Sequence, residues 1–251
     1  MFQLSLHGAG FCLCSLTPPY TPHPTPHTLI YMLREEASWL ANNIYSLPSD
    51  SVFPMLNLGS SSQNFRVKEQ PWIDELLFKP AVDKGYSIIH VDIKDDVGVD
   101  LVGNLYDPIF LRKISTLNIK SVLCSSLLEH VLNREEICKI LSEIIPNAGY
   151  LFVTVPYKYP YHCDPIDTMF RPEIEEFNQL FPTLKISACN IVKGGCLLKS
   201  TSTTPALYLL AMIIRIMLPI YQPSRWYDSI RYSLWLFREI SATCVVLQKS
   251  L

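Results

Sequence analysis

The sequence predicts an open, doubly wound α/β fold in which a mostly parallel sheet is covered by helices on both faces. Between residues 53 and 154, short runs rich in β-branched residues alternate with apolar patterns of helical period. Strands that alternate with helices favour a parallel sheet buried between two helical layers. The length of 251 residues and the apolar content of 49% are sufficient for one domain with a substantial core.

Seven strands are predicted along the chain. Five lie in the alternating region, at residues 55–58, 87–93, 100–103, 121–125 and 151–155. Two more are predicted at residues 184–192 and 242–248. In a sheet of this kind, loops at the carboxyl ends of the strands form the ligand crevice, so functional residues are expected there.

Three helix starts carry local signals. Asp107 followed by Pro108 has the pattern of an N-cap and a first helical residue. Asn133 with Glu136 three residues later resembles a capping box. Pro172 indicates the start of a later helix. A further apolar helical pattern covers residues 73–81 and contains a proline that can kink it.

The chain is predicted to consist of a disordered tail, residues 1–28, and a folded domain, residues 29–251. The tail is rich in proline and threonine, and its prolines exclude helix and favour extended structure. A helical apolar pattern begins at Leu29, and Met32 is a candidate start of translation.

An apolar and aromatic helical insertion is predicted at about residues 205–238. Its apolar part, residues 206–221, is shorter than the ~20 residues that span a bilayer and contains Arg215 and Pro219. The following aromatic and arginine residues suit a water–lipid interface. A buried helix pair or a homodimer contact is the simpler explanation. We therefore expect residues 206–238 to form a homodimer interface or to contact a membrane peripherally.

Charge and cysteine content restrict the partners and the compartment. Lys plus Arg number 21 and Asp plus Glu 23, so the net charge of -2 provides no basic surface, and no nucleic-acid partner is expected. The eight cysteines form no CxxC pair, which disfavours a zinc knuckle or a thioredoxin-like motif. Reduced cysteines in apolar runs favour the cytoplasm, at most peripheral to the inner face of a membrane.

Two strand ends carry candidate ligand-binding residues. The first predicted strand runs into LNLGSSS, residues 56–62, where Gly59 permits a sharp turn. The second ends at Asp92, whose carboxylate can accept two hydrogen bonds from a ribose diol. Two glycines of the dinucleotide fingerprint are missing from the turn, so NAD binding is disfavoured.

Four segments together resemble one family. They are LNLGSSS, HVDIKDDVGVDLVGNLYD (90–107), VLCSSLLEHV (122–131) and PNAGYLFVTVPYKYPYHCDPIDTMFRP (146–172). In this order they resemble class I S-adenosylmethionine-dependent methyltransferases, most closely the small bacterial branch with a type-eleven methyltransferase domain. The resemblance covers about residues 29–192, and ATCVVLQKS (242–250) is similar to that group's last strand. It implies a Rossmann-like, seven-stranded sheet with an antiparallel last strand and S-adenosyl-L-methionine as cofactor.

The resemblance also implies which residues bind the cofactor. Gly59, with Ser60 and Ser61 beside it, matches the turn next to the methionine part, and Asp92 matches the ribose-binding acid. The remaining cofactor-binding residues implied are Asn104 and Leu105 near adenine, and Ser125, Glu129 and His130 in the loop beneath the cofactor. The sequence departs from the family pattern at Asn57, where many relatives have Asp, and at Ser61, where many have Gly.

The loop after the fifth strand is the candidate acceptor site. His162 is predicted to accept a proton from the acceptor, with Asp164 orienting it. Asp167 and Arg171 are predicted to bind a polar acceptor. The alternative is that the two acids cap turns and that Arg171 pairs with Glu175. No metal site is predicted, because His162 and Asp164 have no evident third ligand.

The sequence therefore predicts a methyltransferase that O-methylates a small-molecule or glycan acceptor, such as a glycan or glycolipid precursor. Two alternatives stay open. One is a non-catalytic protein with a methyltransferase fold that acts as a scaffold or interaction partner, suggested by the altered first motif. The other is a quinone or lipid methyltransferase, suggested by the apolar segment.

Overall fold

A computed structural model describes residues 32–162, 166–196 and 235–250. It also describes eight single residues between these last two ranges: Leu210, Ile213, Ile214, Ile216, Met217, Trp226, Ile230 and Ser233. The predicted tail 1–28, most of the predicted insertion 205–238, and Asp164 lie outside the described residues. No helix found in the described ranges combines the length and the apolar character needed to cross a membrane.

Seven strands form one sheet in the order β3-β2-β1-β4-β5-β7-β6. Their bounds are β1 Met55–Leu58, β2 Ile88–Asp92, β3 Leu101–Val102, β4 Ser121–Ser125, β5 Tyr150–Lys158, β6 Leu184–Cys196 and β7 Glu239–Lys249. β1 to β5 pair in parallel, whereas β7 is antiparallel to both β5 and β6. The sheet is therefore Rossmann-like and doubly wound with an antiparallel last strand, as predicted.

Helices occupy both faces of the sheet. The α-helices are α1 Arg34–Ser46, α2 Ser49–Val52, α3 Pro71–Ile73, α4 Lys79–Asp83, α5 Pro108–Ser115, α6 Arg134–Ile144 and α7 Glu176–Leu180. Successive strand residues point to opposite faces. Leu56 and Val122 accordingly pack in one core with α5, α6 and α7, while Met55 and Leu123 pack in another with α1 and α4.

Two of the predicted helix caps are confirmed. Asp107 Oδ1 accepts a hydrogen bond of 2.9 Å from the Ile109 N–H at the start of α5. The Glu136 N–H donates to Asn133 Oδ1 at 3.4 Å at the start of α6, and Asn133 Nδ2 in turn donates to Glu136 Oε2 at 2.7 Å. Both caps satisfy polar groups that a helix terminus leaves unpaired, so the local signals set these two helix starts correctly.

Two helix predictions need correction. Residues 73–81 are not one helix: a π-helical segment, Asp74–Phe78, separates α3 from α4, and Pro80 near the start of α4 removes one α-helical hydrogen bond. The helix start predicted at Pro172 is wrong, because α7 begins only at Glu176. The Pro172 carbonyl instead accepts a 2.8 Å hydrogen bond from Thr243 Oγ1 on β7.

Candidate active site

The turn that follows β1 has a tightly constrained backbone. Gly59 has a φ of +67°, and a Cβ atom there would lie 3.2 Å from Leu127 Cδ1. Ser61 has a φ of +55°, a left-handed conformation that costs energy for any residue with a side chain. Glycine would take this conformation without strain, whereas serine must be held there by other contacts.

Asp92 supplies one of these contacts. The Ser61 N–H donates to Asp92 Oδ2 at 2.8 Å, and the Lys94 N–H donates to Oδ1 at 3.0 Å. The first of these hydrogen bonds joins the end of β2 to the turn after β1. This is expected, because β1 and β2 are parallel neighbours and their carboxyl ends lie side by side. Each carboxylate oxygen can accept a second hydrogen bond, so the half-buried carboxylate keeps capacity for a ligand.

Arg66 holds the same turn and was not predicted from the sequence. Its Nη1 donates to the Ser60 carbonyl at 2.8 Å and to the Ser61 carbonyl at 2.6 Å, and its Nη2 donates to the Gly98 carbonyl at 2.7 Å. The residue is only 4% exposed. It lies in a polar stretch that is typical of a surface helix, so the sequence carries no signal of its burial.

Asn57, one of the two positions where the sequence departs from the family it resembles, pairs with His90 across the sheet. Asn57 and His90 are register partners on β1 and β2, and Asn57 Nδ2 lies 3.0 Å from His90 Nδ1. Burial lowers the pKa of His90 to about 4, so its ring is neutral at pH 7 and Nδ1 can accept from the amide. A neutral hydrogen-bonded pair therefore links β1 and β2 at this point.

The other predicted cofactor residues lie at neighbouring strand ends. Asn104 is exposed just after β3, where its Oδ1 accepts from the Tyr106 N–H at 3.0 Å, and Leu105 packs against the core. Ser125 Oγ, at the end of β4, lies 2.8 Å from Thr154 Oγ1 on β5. Their predicted contacts with a cofactor stay predictions.

A buried carboxyl group lies beside this hydroxyl pair. Glu36 of α1 is 2% exposed, and its Oε2 accepts from the Leu33 N–H at 3.1 Å. Burial raises the pKa of Glu36 to about 7, although hydrogen bonds from Thr154, Leu33 and Ser125 oppose the rise. Glu36 also lines a small cavity together with Leu33, Ser126, Pro156, Tyr159, Ser241 and Ala242.

We expect Glu36 to make the fold less stable as the pH rises. The unfolded chain releases this proton near 4.5 and the folded chain near 7, so the folded state binds more protons between these values. The free energy of unfolding should therefore fall by roughly 3 kcal/mol from about pH 4.5 to 7. Urea denaturation of Glu36→Gln should show a shallower decline than the wild type. The exposed neighbour Glu35→Gln is the control, and equal slopes in both variants would contradict the assignment.

The acceptor loop places His162 against Asp167. His162 Nδ1 lies 3.2 Å from Asp167 Oδ2, and the His162 N–H donates to the same oxygen at 3.1 Å. Burial lowers the pKa of His162, although Asp167 opposes this, and the residue is 3% exposed. The ring is neutral at pH 7 and can accept a proton. Within the described loop, Asp167 is the acid in contact with the His162 ring. The orienting role suggested for Asp164 stays a prediction.

Asp167 connects several groups of this loop through hydrogen bonds. Its two oxygens form a bidentate pair with Arg171, at 3.1 Å to Nη1 and 2.7 Å to Nη2, and Oδ1 also accepts from the Met169 N–H at 2.8 Å. Burial favours the neutral acid, but Arg171 and the backbone donors outweigh it and lower the pKa of Asp167. Arg171 thus pairs with Asp167 and not with Glu175. That either side chain binds an acceptor stays a prediction.

The structure also brings Glu129 and His130 to this loop. His130 Nε2 lies 3.8 Å from Glu129 Oε1, and the rings of His130 and His162 are 5.2 Å apart between centroids in a T-shaped arrangement. Burial raises the pKa of Glu129 to about 8, although Arg171 opposes the rise. The sequence assigns Glu129 and His130 to the cofactor and His162 to the acceptor. In the fold, the three side chains form one cluster.

Comparisons with known proteins identify no family by sequence. No family model matches the chain, and no curated protein matches it. Solved structures with similar backbones include a SAM-dependent methyltransferase from Archaeoglobus fulgidus, with 13% identity, 85% of this chain and 94% of that chain covered, and a TM-score of 0.46. They also include YjhP from E. coli, which has 14% identity and a TM-score of 0.46; the match covers 90% of this chain and 95% of that chain. A third is the [4+2]-cyclase SpnF, with 12% identity and a TM-score of 0.44; the match covers 86% of this chain and 82% of that chain. The fold assignment therefore rests on the strand order, and the function on this chain's own residues.

Proposed function

We propose that this chain is an S-adenosylmethionine-dependent methyltransferase. The proposal rests on one observation: the Ser61 N–H, in the turn after β1, donates a hydrogen bond to Asp92 at the end of β2. In open α/β sheets, ligands bind outside the carboxyl ends of the strands, next to the point where strand order reverses. β1 lies at that point, between β2 and β4. The resemblance of the four sequence segments to the type-eleven branch supports the same cofactor.

The residues at this edge fit such a cofactor. Gly59 supplies the positive φ that the turn requires and leaves room for the Leu127 side chain, so the turn can stay compact beside a ligand. Asp92 can still accept two hydrogen bonds from a diol. The cofactor would supply a methyl group on a sulfonium, and the protein's task is alignment, which can lower a barrier by roughly 7–11 kcal/mol.

On the acceptor side we propose a hydroxyl group of a glycan or a glycolipid precursor. An alcohol needs a base, and neutral His162 has the protonation state of one. His162 lies just after β5, and its ring is held by Asp167. His162 is almost fully buried, so an acceptor reaches its ring only when the side chain becomes accessible.

Calorimetric titration with S-adenosylmethionine tests the proposal directly. We expect saturable binding by the wild type and a loss of roughly 1.5–3 kcal/mol in binding free energy for Asp92→Ala, because charge-assisted bonds to the diol are removed. The control is Asp95→Ala, an exposed acid three residues away. Absence of binding by the folded wild-type chain would overturn the proposal. Equal affinity of Asp92→Ala and wild type would show that Asp92 does not contact the ligand.

A second candidate is a non-catalytic methyltransferase fold that serves as a scaffold. The observation in its favour is that both oxygens of Asp92 already accept backbone hydrogen bonds within the chain. Cofactor binding without methyl transfer to any of a broad panel of hydroxyl and amine acceptors would favour this candidate. Methyl transfer to any of them would exclude it.

A further inference from the structure

We propose that Glu129, His130 and His162 form a binding site for a divalent transition-metal ion, with Zn²⁺ as the ion that best matches the donor set. The site lies at the junction of the loop after β4 and the loop after β5. Its observations do not involve the β1 turn or Asp92. It shares His162 with the proposed acceptor site, and an ion bound to that ring would take the place of its role as a base.

The first observation is the spacing of the donor atoms. One ligand atom from each of the three side chains lies within 4.8 Å of the others. Zinc binds nitrogen and oxygen ligands at about 2.0–2.2 Å, so ligand atoms around one tetrahedral ion are about 3.4 Å apart. Small side-chain rotations therefore suffice to bring all three donors onto one ion.

The second observation is an unsatisfied buried carboxyl group. Within the described part of the chain, neither Oε1 nor Oε2 of Glu129 has a hydrogen-bond partner, and the side chain is 0% exposed. A buried polar group without a partner is costly, and native structures rarely contain one. A cation bound by this carboxylate would remove the cost.

The third observation is the orientation of both imidazoles. His130 Nδ1 is hydrogen-bonded to the Ile166 carbonyl, which can only accept, so Nδ1 carries the proton. His162 Nδ1 faces Asp167 Oδ2 in the same way, at 3.2 Å. Nε2 is therefore the ring nitrogen through which each histidine would coordinate an ion. A histidine whose Nδ1–H is held by a carboxylate or a carbonyl is the usual arrangement of a metal ligand.

The donor set determines the class of ion. Two imidazoles and one carboxylate suit zinc and other first-row transition metals, whereas Ca²⁺ and Mg²⁺ prefer oxygen ligands. Zinc sites with three protein ligands keep a fourth position for water or a substrate oxygen.

The test is metal binding by the full chain after treatment with a chelator. Equilibrium dialysis against Zn²⁺ should give one tightly bound ion per chain, and Co²⁺ should give the visible absorption of a tetrahedral site. Zn²⁺ should also raise the melting temperature, since an ion that binds only the folded state stabilises it. Failure of Zn²⁺ and Co²⁺ to bind the folded wild-type chain would overturn the proposal.

The zinc affinity of variants at the proposed ligands shows where the ion binds. Glu129→Gln and His130→Gln should abolish tight binding, and Asp167→Asn should weaken it about 10–100-fold, as loss of a histidine's hydrogen-bond partner does. The control is Cys189→Ser, which removes an exposed thiol that could bind zinc elsewhere and should leave the stoichiometry unchanged. Circular dichroism establishes that each variant is folded. Unchanged affinity in folded Glu129→Gln and His130→Gln would place the ion elsewhere and refute the site.

Discussion

Replacement of Arg66 by alanine should lower the free energy of unfolding by about 3–5 kcal/mol. The guanidinium donates to three backbone carbonyls, two in the turn after β1 and one at Gly98. Hydrogen bonds to a charged group contribute about 1.5–3 kcal/mol each, and the carbonyls recover part of this from water that enters the space. Urea denaturation at neutral pH measures the change, and the same variant should lose affinity for S-adenosylmethionine because the turn loosens.

Lys68→Ala is the matched control for this change. Lys68 is exposed and lies two residues after Arg66 in the π-helical segment Phe65–Glu69, so its loss should alter stability by no more than about 0.5 kcal/mol. If Arg66→Ala were as stable as Lys68→Ala, the turn would be held by Asp92 and the strand ends alone.

A loss of about 3–5 kcal/mol is also expected for Asp167→Ala, measured by the same method. The carboxylate is fully buried and bonds Arg171, Met169 and His162, so its removal leaves the Arg171 charge without its partner. The loss should diminish in acid. The pKa of Asp167 is below its ordinary value, so its stabilisation is present above about pH 4 and disappears as the pH falls through the lowered pKa.

Glu175→Ala decides which carboxylate holds Arg171. Glu175 is exposed and lies four residues after Arg171, the spacing of a helical ion pair, but no helix covers Arg171. The variant should therefore retain wild-type stability. A larger loss for Glu175→Ala than for Asp167→Ala would mean that the pairing in the acceptor loop is different.

Sequence patterns located the strands because each is a short apolar run with a distinct end. β1 and β4 have the predicted bounds, while β5, β6 and β7 extend beyond theirs. The extra residues of β5 include Lys158, which pairs with Ser241 after a bulge. Such an extension depends on pairing with a strand distant in the chain, which local hydrophobicity does not encode.

A residue of the site was predictable where it lies at the end of a predicted strand. Gly59 and Asp92 each end a strand, and parallel neighbours bring such ends together. Arg66 was not predictable, because its burial depends on Gly98 folding back over the turn. The cluster of Glu129, His130 and His162 was missed for a similar reason. Its members come from two loops 32 residues apart, and sequence spacing alone gave His162 no third ligand.

The position of β7 inside the sheet constrains the order of assembly. β7 is the last strand along the chain, yet it lies between β5 and β6, which do not pair with each other. During synthesis, β5 therefore emerges from the ribosome with one edge unpaired, and β6, which pairs only with β7, emerges with both edges unpaired. Such edges are templates for pairing with other chains. Newly made chains should thus be most prone to aggregation, and most dependent on chaperones, during the interval before residues 239–249 emerge.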